Sequence, residues 1–123
     1  MASSGIAATL LNGGRTGHSA FKLPLDLARH DTPFCNIKKN SAMAKVLQRA
    51  RIIIWDEATM SHKNIFLAID NTLRDVRGKD CIMGGVTVLL AGDFRQTLPV
   101  IARGTRADEI NACLKSCFLW QNV

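Results

Sequence analysis

The sequence predicts an α/β fold built on a parallel sheet, and three observations carry that prediction. Two short apolar runs, residues 51–55 and 86–91, read as strands, and each ends in an acidic turn. Both are continuous rather than alternating, the pattern of strands covered on both faces in parallel sheets. Helical periodicity fills the stretches around them, so the order is helix, strand, helix, strand, helix.

The elements follow in chain order. Ala2-Ser3-Ser4 reads as the tail of a strand, and residues 5–11 as a short helix stopped by Asn12-Gly13-Gly14. A second short segment opens at residues 15–21. Residues 22–40 hold two prolines and no clear period, and are read as loop. Ser41 is placed to cap a helix running to about residue 50, with Met43, Val46, Leu47 and Ala50 on one apolar face. After the strand at 51–55, Ser61 is placed to cap a helix whose buried stripe is Ile65, Ile69, Leu73 and Val76. Asp70 and Arg74 are expected as an outward i,i+4 pair, and Gly78 as the stop. The strand at 86–91 ends at Gly92, Pro99 ends any turn over 95–98, and a last helix is expected over 107–117.

Composition narrows the class. The chain has 123 residues, 47% of them hydrophobic, which fits one globular domain or a piece of one. No apolar run reaches the roughly 18 residues a bilayer crossing needs, and the N-terminus lacks the pattern of a signal peptide. The expectation is therefore an intracellular, soluble protein with no membrane partner. Of the four cysteines, Cys35 and Cys81 are isolated, and Cys113 and Cys117 have no metal-ligand spacing or nearby histidine, so neutral thiols are expected. The net charge of +6 suits a polyanion, although the basic residues are scattered. With no tyrosine and two tryptophans, no aromatic stacking platform for bases is visible.

The chemistry lies at the ends of the two strands. In parallel sheets, reactive groups sit beyond the carboxyl ends of the strands. Asp56-Glu57 occupies that place after Arg51-Ile52-Ile53-Ile54-Trp55. An aspartate there can hold Mg²⁺, usually through water, and a following glutamate can orient and deprotonate the attacking water in phosphoryl transfer. The plain structural alternative is that Asp56 caps the following helix and Glu57 is solvated. The second turn is Gly92-Asp93-Phe94-Arg95-Gln96. Its neutral Gln96 offers a donor and an acceptor that can report a γ-phosphate, and Asp93 can orient its neighbours. Ser3-Ser4-Gly5 and Thr16-Gly17-His18-Ser19 each put hydroxyls and a glycine at a helix start, where backbone N–H groups can take a phosphate. Ordinary helix caps explain the same residues. No Gly-x-x-x-x-Gly-Lys-Ser/Thr loop occurs in the chain, so it carries half of an ATPase site.

These residues together resemble the petite-integration-frequency (Pif1-like) family of superfamily 1B DNA helicases. The resemblance rests on Ala2-Ser3-Ser4-Gly5-Ile6-Ala7-Ala8, Gly14-Arg15-Thr16-Gly17-His18-Ser19-Ala20-Phe21, Trp55-Asp56-Glu57-Ala58 and Leu90-Ala91-Gly92-Asp93-Phe94-Arg95-Gln96-Thr97-Leu98-Pro99-Val100. It spans nearly the whole chain, and the Phe-Arg-Gln-x-Leu-Pro-Val variant resembles the plant and Helitron-type branch. The resemblance implies part of a RecA-like P-loop NTPase motor domain over residues 1–123, lacking the phosphate-loop strand and followed by no second domain. It implies ATP as substrate, Mg²⁺ as cofactor, and single-stranded DNA and duplex junctions as partners. Asp56 is then the metal residue and Glu57 the water-activating one. Asp93 and Gln96 belong to the nucleotide-sensing motif. Ser3, Ser4, Gly5, Thr16, His18 and Ser19 contact DNA. The helix over 65–76 with Gly84-Gly85 resembles a segment characteristic of the family.

The implied activity is ATP-driven 5′-to-3′ translocation and unwinding, in DNA repair, recombination or telomere maintenance, with the nucleus ahead of the mitochondrion. Three departures qualify it. The lysine of the phosphate loop is missing, no arginine finger is present, and Gly17 stands where the family usually has alanine or another small side chain. An isolated chain of this kind is expected to be inactive and marginally folded. The alternatives are a non-catalytic remnant of a transposon-derived gene that binds single-stranded DNA or a partner helicase, and a different magnesium nucleotidase.

Overall fold

The computed structural model describes residues 13–24, 26–27, 32–95, 99 and 104–123. The expected strand tail at 2–4, the helix over 5–11, and the site residues Ser3, Ser4, Gly5 and Gln96 lie outside the described residues. Among those described, the order is α1 (Gly17–Phe21), α2 (Ala42–Arg49), β1 (Ile52–Trp55), α3 (Lys63–Arg77), β2 (Thr87–Leu90) and α4 (Arg106–Ala112). Short 3-10 turns occupy Ala58–Met60, Ile82–Gly85, Leu114–Ser116 and Phe118–Asn122. β1 and β2 pair in parallel, with Ile52 opposite Thr87 and Trp55 opposite Leu90. The α/β class and the parallel sheet are as the sequence predicts. No described helix is long and apolar enough to cross a membrane.

Helix ends follow local chemistry. The Ser41 hydroxyl accepts the Ala44 N–H and starts α2. Gly78 stops α3 in the left-handed conformation, its N–H returning to the last turn. The start of α3 corrects the reading of Ser61. His62 is the N-cap, and its Nδ1 accepts the Asn64 N–H at 3.0 Å, while Ser61 closes the preceding 3-10 turn. The last helix is also shorter than expected. A Thr105–Asp108 capping box starts α4, but Cys113 turns extended (ψ 146°), and two 3-10 turns follow. That break lets Ala112, Cys113, Leu114, Cys117 and Leu119 all turn inward, which one straight helix could not do.

The core lies between α3 and one face of the sheet. Ile65, Ile69, Leu73 and Val76 are buried as the 3.6-residue period requires. Trp55 is 1% exposed, stacked near Phe21 (centroids 6.3 Å) and edge-on to Phe66 (5.3 Å). The prediction of a strand covered on both faces is corrected here. Burial along β1 alternates: Ile53 and Trp55 are inside, while Ile52 and Ile54 stay 54% and 46% exposed. The apolar face assigned to α2 is likewise narrower, since Ala44 and Leu47 are buried but Val46 is exposed.

Asp70 overturns its expectation most clearly. It faces inward, 1% exposed, and its carboxylate accepts the Met83 N–H at 2.6 Å and Arg74 Nε at 3.1 Å. The turn at Ile82–Gly85 folds back over α3, with Met83 and Gly84 both at positive φ (54° and 58°), and Asp70 takes up its buried donor. Arg77 completes the arrangement. Its Nε donates to the Gly84 carbonyl (2.8 Å), and its Nη1 donates to the carbonyls of Leu47, Gln48 and Ala50 (2.9, 2.8 and 3.1 Å). One guanidinium thus satisfies the C-terminal carbonyls of α2 and fixes the entry into β1. The thiols are all free, with Cys35, Cys113 and Cys117 buried and Cys81 exposed. Burial pushes the Cys35 thiol up to about 11, against a partial offset from Thr72.

Candidate nucleotide and nucleic-acid site

Both acidic turns leave the same end of the parallel sheet, because β1 and β2 run in register. Backbone hydrogen bonds then continue past the strands. The Ala91 N–H donates to the Trp55 carbonyl at 2.9 Å, and the Ala58 N–H donates to the Ala91 carbonyl at 2.8 Å. The chain around Asp56-Glu57 is therefore stitched to the chain entering Gly92-Asp93. Thr59 adds to the seam. Its hydroxyl lies 3.5 Å from the Asp93 carbonyl, and a Cβ added at Gly92 would stand 3.1 Å from the Thr59 side chain. The two motifs that the sequence places 35 or more residues apart form one ledge.

Asp56 is half-buried, and its Oδ1 accepts the N–H of Glu57 at 2.8 Å. It does not cap the 3-10 turn that follows, which has no side-chain cap. Glu57 occupies the left-handed region (φ 53°, ψ 40°), where a non-glycine residue costs about 1–2 kcal/mol. Backbone strain of this kind concentrates at functional sites. Its effect is to turn the chain sharply after Asp56. Nothing in the sequence announces this, since glutamate is not a residue that favours positive φ.

A hard, oxygen-preferring cation fits the donor present. Mg²⁺ keeps several of its waters and takes only one or two protein carboxylates beside phosphate oxygens. Asp56 offers Oδ2 for that role while Oδ1 is held by the backbone. Among the described residues there is no cluster of three or more His, Cys, Asp or Glu side chains.

Asp93 is tied to its own turn. It accepts the backbone N–H of Arg95 at 2.9 Å and the guanidinium at 3.2 and 3.3 Å. These bonds, the backbone one first, hold its carboxyl below the ordinary value of 3.8. Arg95, which sequence reasoning passed over, thus shapes the turn that leads to Gln96. Phe94 points the other way, edge-on to Trp120 (5.6 Å) and under Lys115, whose Nζ is 4.3 Å from the ring centre. The C-terminal 3-10 turns therefore brace the second acidic turn.

The segment Thr16-Gly17-His18-Ser19 starts α1. The Thr16 hydroxyl accepts the Ser19 N–H at 3.2 Å, so that hydroxyl serves as an N-cap. The His18 and Ser19 side chains are exposed and open to a ligand. Gly17 is buried against the Trp55 indole, and a Cβ there would fall inside the ring. The segment is thereby seated directly on the residue that precedes Asp56. A glycine in the first turn of a helix was the only signal of this contact in the sequence.

Comparison with known proteins matches this arrangement. The PIF1-like helicase family model matches residues 1–123. The chain is 34% identical over 103 residues to the ATP-dependent DNA helicase Pif1 of Psychrobacter sp. (strain PRwf-1), covering 84% of this chain and 16% of that protein. It is 32% identical over 106 residues to the ATP-dependent DNA helicase Pif1 of Bdellovibrio bacteriovorus, covering 86% of this chain and 24% of the relative. Among solved structures, the Pif1 helicase from Bacteroides in complex with ADP-AlF3 and ssDNA superposes with a TM-score of 0.81 at 28% identity. That match covers 97% of this chain and 28% of the other. The chain thus spans less than a third of the length of each of these proteins.

Proposed function

Because the chain belongs to the PIF1-like helicase family, we propose that it is a fragment of the first motor domain of an ATP-dependent DNA helicase. The observation that carries this reading is the ledge on which Asp56-Glu57 and Gly92-Asp93 are joined through the Ala58, Ala91 and Trp55 backbones. That geometry supports a site where the state of a bound nucleotide, read by the second turn, is felt by the hydrolytic pair. The Bacteroides relative whose structure resembles this chain was solved with ADP-AlF3 and ssDNA, which supports ATP and single-stranded DNA as ligands here.

Asp56 would hold Mg²⁺ through water, and the chemistry the ion would supply is neutralisation of phosphate charge. Glu57 orients the attacking water and takes its proton. Gln96, with Asp93 shaping its turn, senses the γ-phosphate. His18 and Ser19 contact the DNA backbone with Thr16 as the cap that presents them, and Ser3, Ser4 and Gly5 add a second contact. The parent activity is 5′-to-3′ translocation and unwinding, in repair, recombination or telomere maintenance, in the nucleus, and the Phe94-Arg95-Gln96-x-Leu98-Pro99-Val100 variant supports a plant or Helitron-type branch. Residues 1–123 hold no phosphate-loop lysine, so this chain alone is expected to hydrolyse little ATP and unwind nothing. Phosphate release with and without single-stranded DNA tests the point. Robust DNA-stimulated turnover that disappears in Glu57→Gln would overturn the inactivity and confirm the role of Glu57.

A second reading is favoured by the net charge of +6 and the exposed His18 and Ser19. In it the chain is a non-catalytic module that binds single-stranded DNA or a partner helicase. A titration against labelled oligothymidylate at several salt concentrations decides it, since phosphate contacts make affinity fall steeply with salt. No binding at about 50 mM salt would end this reading.

A further inference from the structure

We infer that Trp55 is a positioning residue that links the Thr16-Gly17-His18-Ser19 segment to the Asp56-Glu57 carboxylates. The inference deepens the proposed function and rests on its assignment of single-stranded DNA to that segment. Trp55 is the last residue of β1, one peptide bond from Asp56. Its side chain is 1% exposed, and its six-membered ring lies against Gly17 with no room for a Cβ between them. Phe21 from the other end of α1 stacks on the same indole (6.3 Å, 23° between planes), and Phe66 of α3 closes its edge (5.3 Å, 60°). Helix α1 therefore rests on the indole at both ends, through Gly17 and through Phe21.

The main chain of the same residue faces the chemistry. The Trp55 carbonyl accepts the Ala91 N–H, and the Ala91 carbonyl accepts the Ala58 N–H. Close-packed interiors have low compressibility and transmit small displacements. A shift of α1 on taking up a phosphate backbone cannot be absorbed at Gly17, where the contact is already tight. It passes to the indole, and from there to the Trp55–Asp56 peptide and the Ala91–Gly92 turn. A side chain at position 17 would push the ring away, so the glycine is what lets α1 sit this close to the catalytic strand.

The chain has two tryptophans, Trp55 and Trp120, so a Trp120→Phe variant leaves Trp55 as the sole emitter. It is titrated with a fluorescein-labelled oligothymidylate of about ten nucleotides for anisotropy, and with the unlabelled oligonucleotide for Trp55 emission. The expected result is a change in Trp55 emission that saturates with the anisotropy curve. Gly17→Ala is expected to weaken binding by about fivefold, and Gly17→Ala combined with Trp55→Phe to restore it to within about twofold, because the smaller ring makes room. Rescue by the double variant assigns the loss to the Gly17–Trp55 contact, and the emission change reads the link itself. Binding seen in anisotropy with Trp55 emission unchanged would overturn the link while leaving the DNA assignment intact, even if Gly17→Ala fails to fold. Absence of binding in anisotropy would defeat the DNA assignment itself, and the link with it.

Discussion

Asp70 shows how a single side chain changes meaning between sequence and structure. At i,i+4 from Arg74 it has the spacing of a surface ion pair, the kind that contributes little. In the fold it is a buried acceptor for the Met83 N–H and for Arg74 Nε. Removing it leaves that N–H without its partner. Asp70→Ala is accordingly expected to cost about 2–4 kcal/mol, and Asp70→Asn less, because the amide oxygen can still accept from Met83. Urea midpoints of the two variants check the order, and equal, negligible losses would return Asp70 to the surface. Gly84 is the counterpart on the turn, at φ 58° with a would-be Cβ 2.7 Å from the Leu73 carbonyl oxygen. Gly84→Ala is expected to destabilise by about 1–3 kcal/mol, measurable in the same titration.

Helix α3 carries both a fold-level and a pH-level consequence. Its N-cap is the His62 imidazole, which can accept the Asn64 N–H only while Nδ1 is unprotonated. Burial first, and the charge of Lys63 second, hold the folded-state value below the ordinary 6.5. A depressed value means the folded form resists protonation. The contribution is present above 6.5 and is lost as pH falls through the lower folded-state value. Its size is that of an N-cap, about 1 kcal/mol. Between neutral and mildly acidic pH the wild-type chain is expected to lose more stability than His62→Asn, whose amide caps without titrating. Thermal melts across that range, run side by side, test it, and parallel slopes would refute it. Arg77 acts at the other end of the same helix. Arg77→Lys cannot reproduce four carbonyl contacts and is expected to loosen the junction of α2 and β1, seen as faster amide exchange at residues 47–53.

For the molecule as a whole, the exposed sheet face matters most. Ile52, Ile54 and Leu89 are each about half exposed, and Ile52 and Ile54 lie opposite Thr87 and Leu89 in the parallel register. A clustered apolar face of this kind favours association. The chain is expected to self-associate at micromolar concentration, and Leu89→Lys to reduce that association in sedimentation velocity. A wild-type chain that sediments as a monomer and melts cooperatively would show that the face is tolerated. The same face explains where sequence reasoning stopped. Residues 51–55 and 86–91 read as strands, and Ile65, Ile69, Leu73 and Val76 as a buried stripe, because period and composition are local properties. Asp56-Glu57 and Gly92-Asp93 were read as a candidate site because each follows an apolar strand, and the structure brings them to the same end of the sheet. The sequence alone therefore determined the α/β class, the helical stripe of α3, the caps at Ser41 and Gly78, and the family to which the motifs belong. Only the tertiary structure decided that Asp70 points inward, that Ile52 and Ile54 point outward, that Glu57 takes a left-handed turn, and that Gly17 sits on the Trp55 ring. Each of those depends on atoms distant in sequence or on a backbone conformation its residue does not favour, and periodicity carries no information about either.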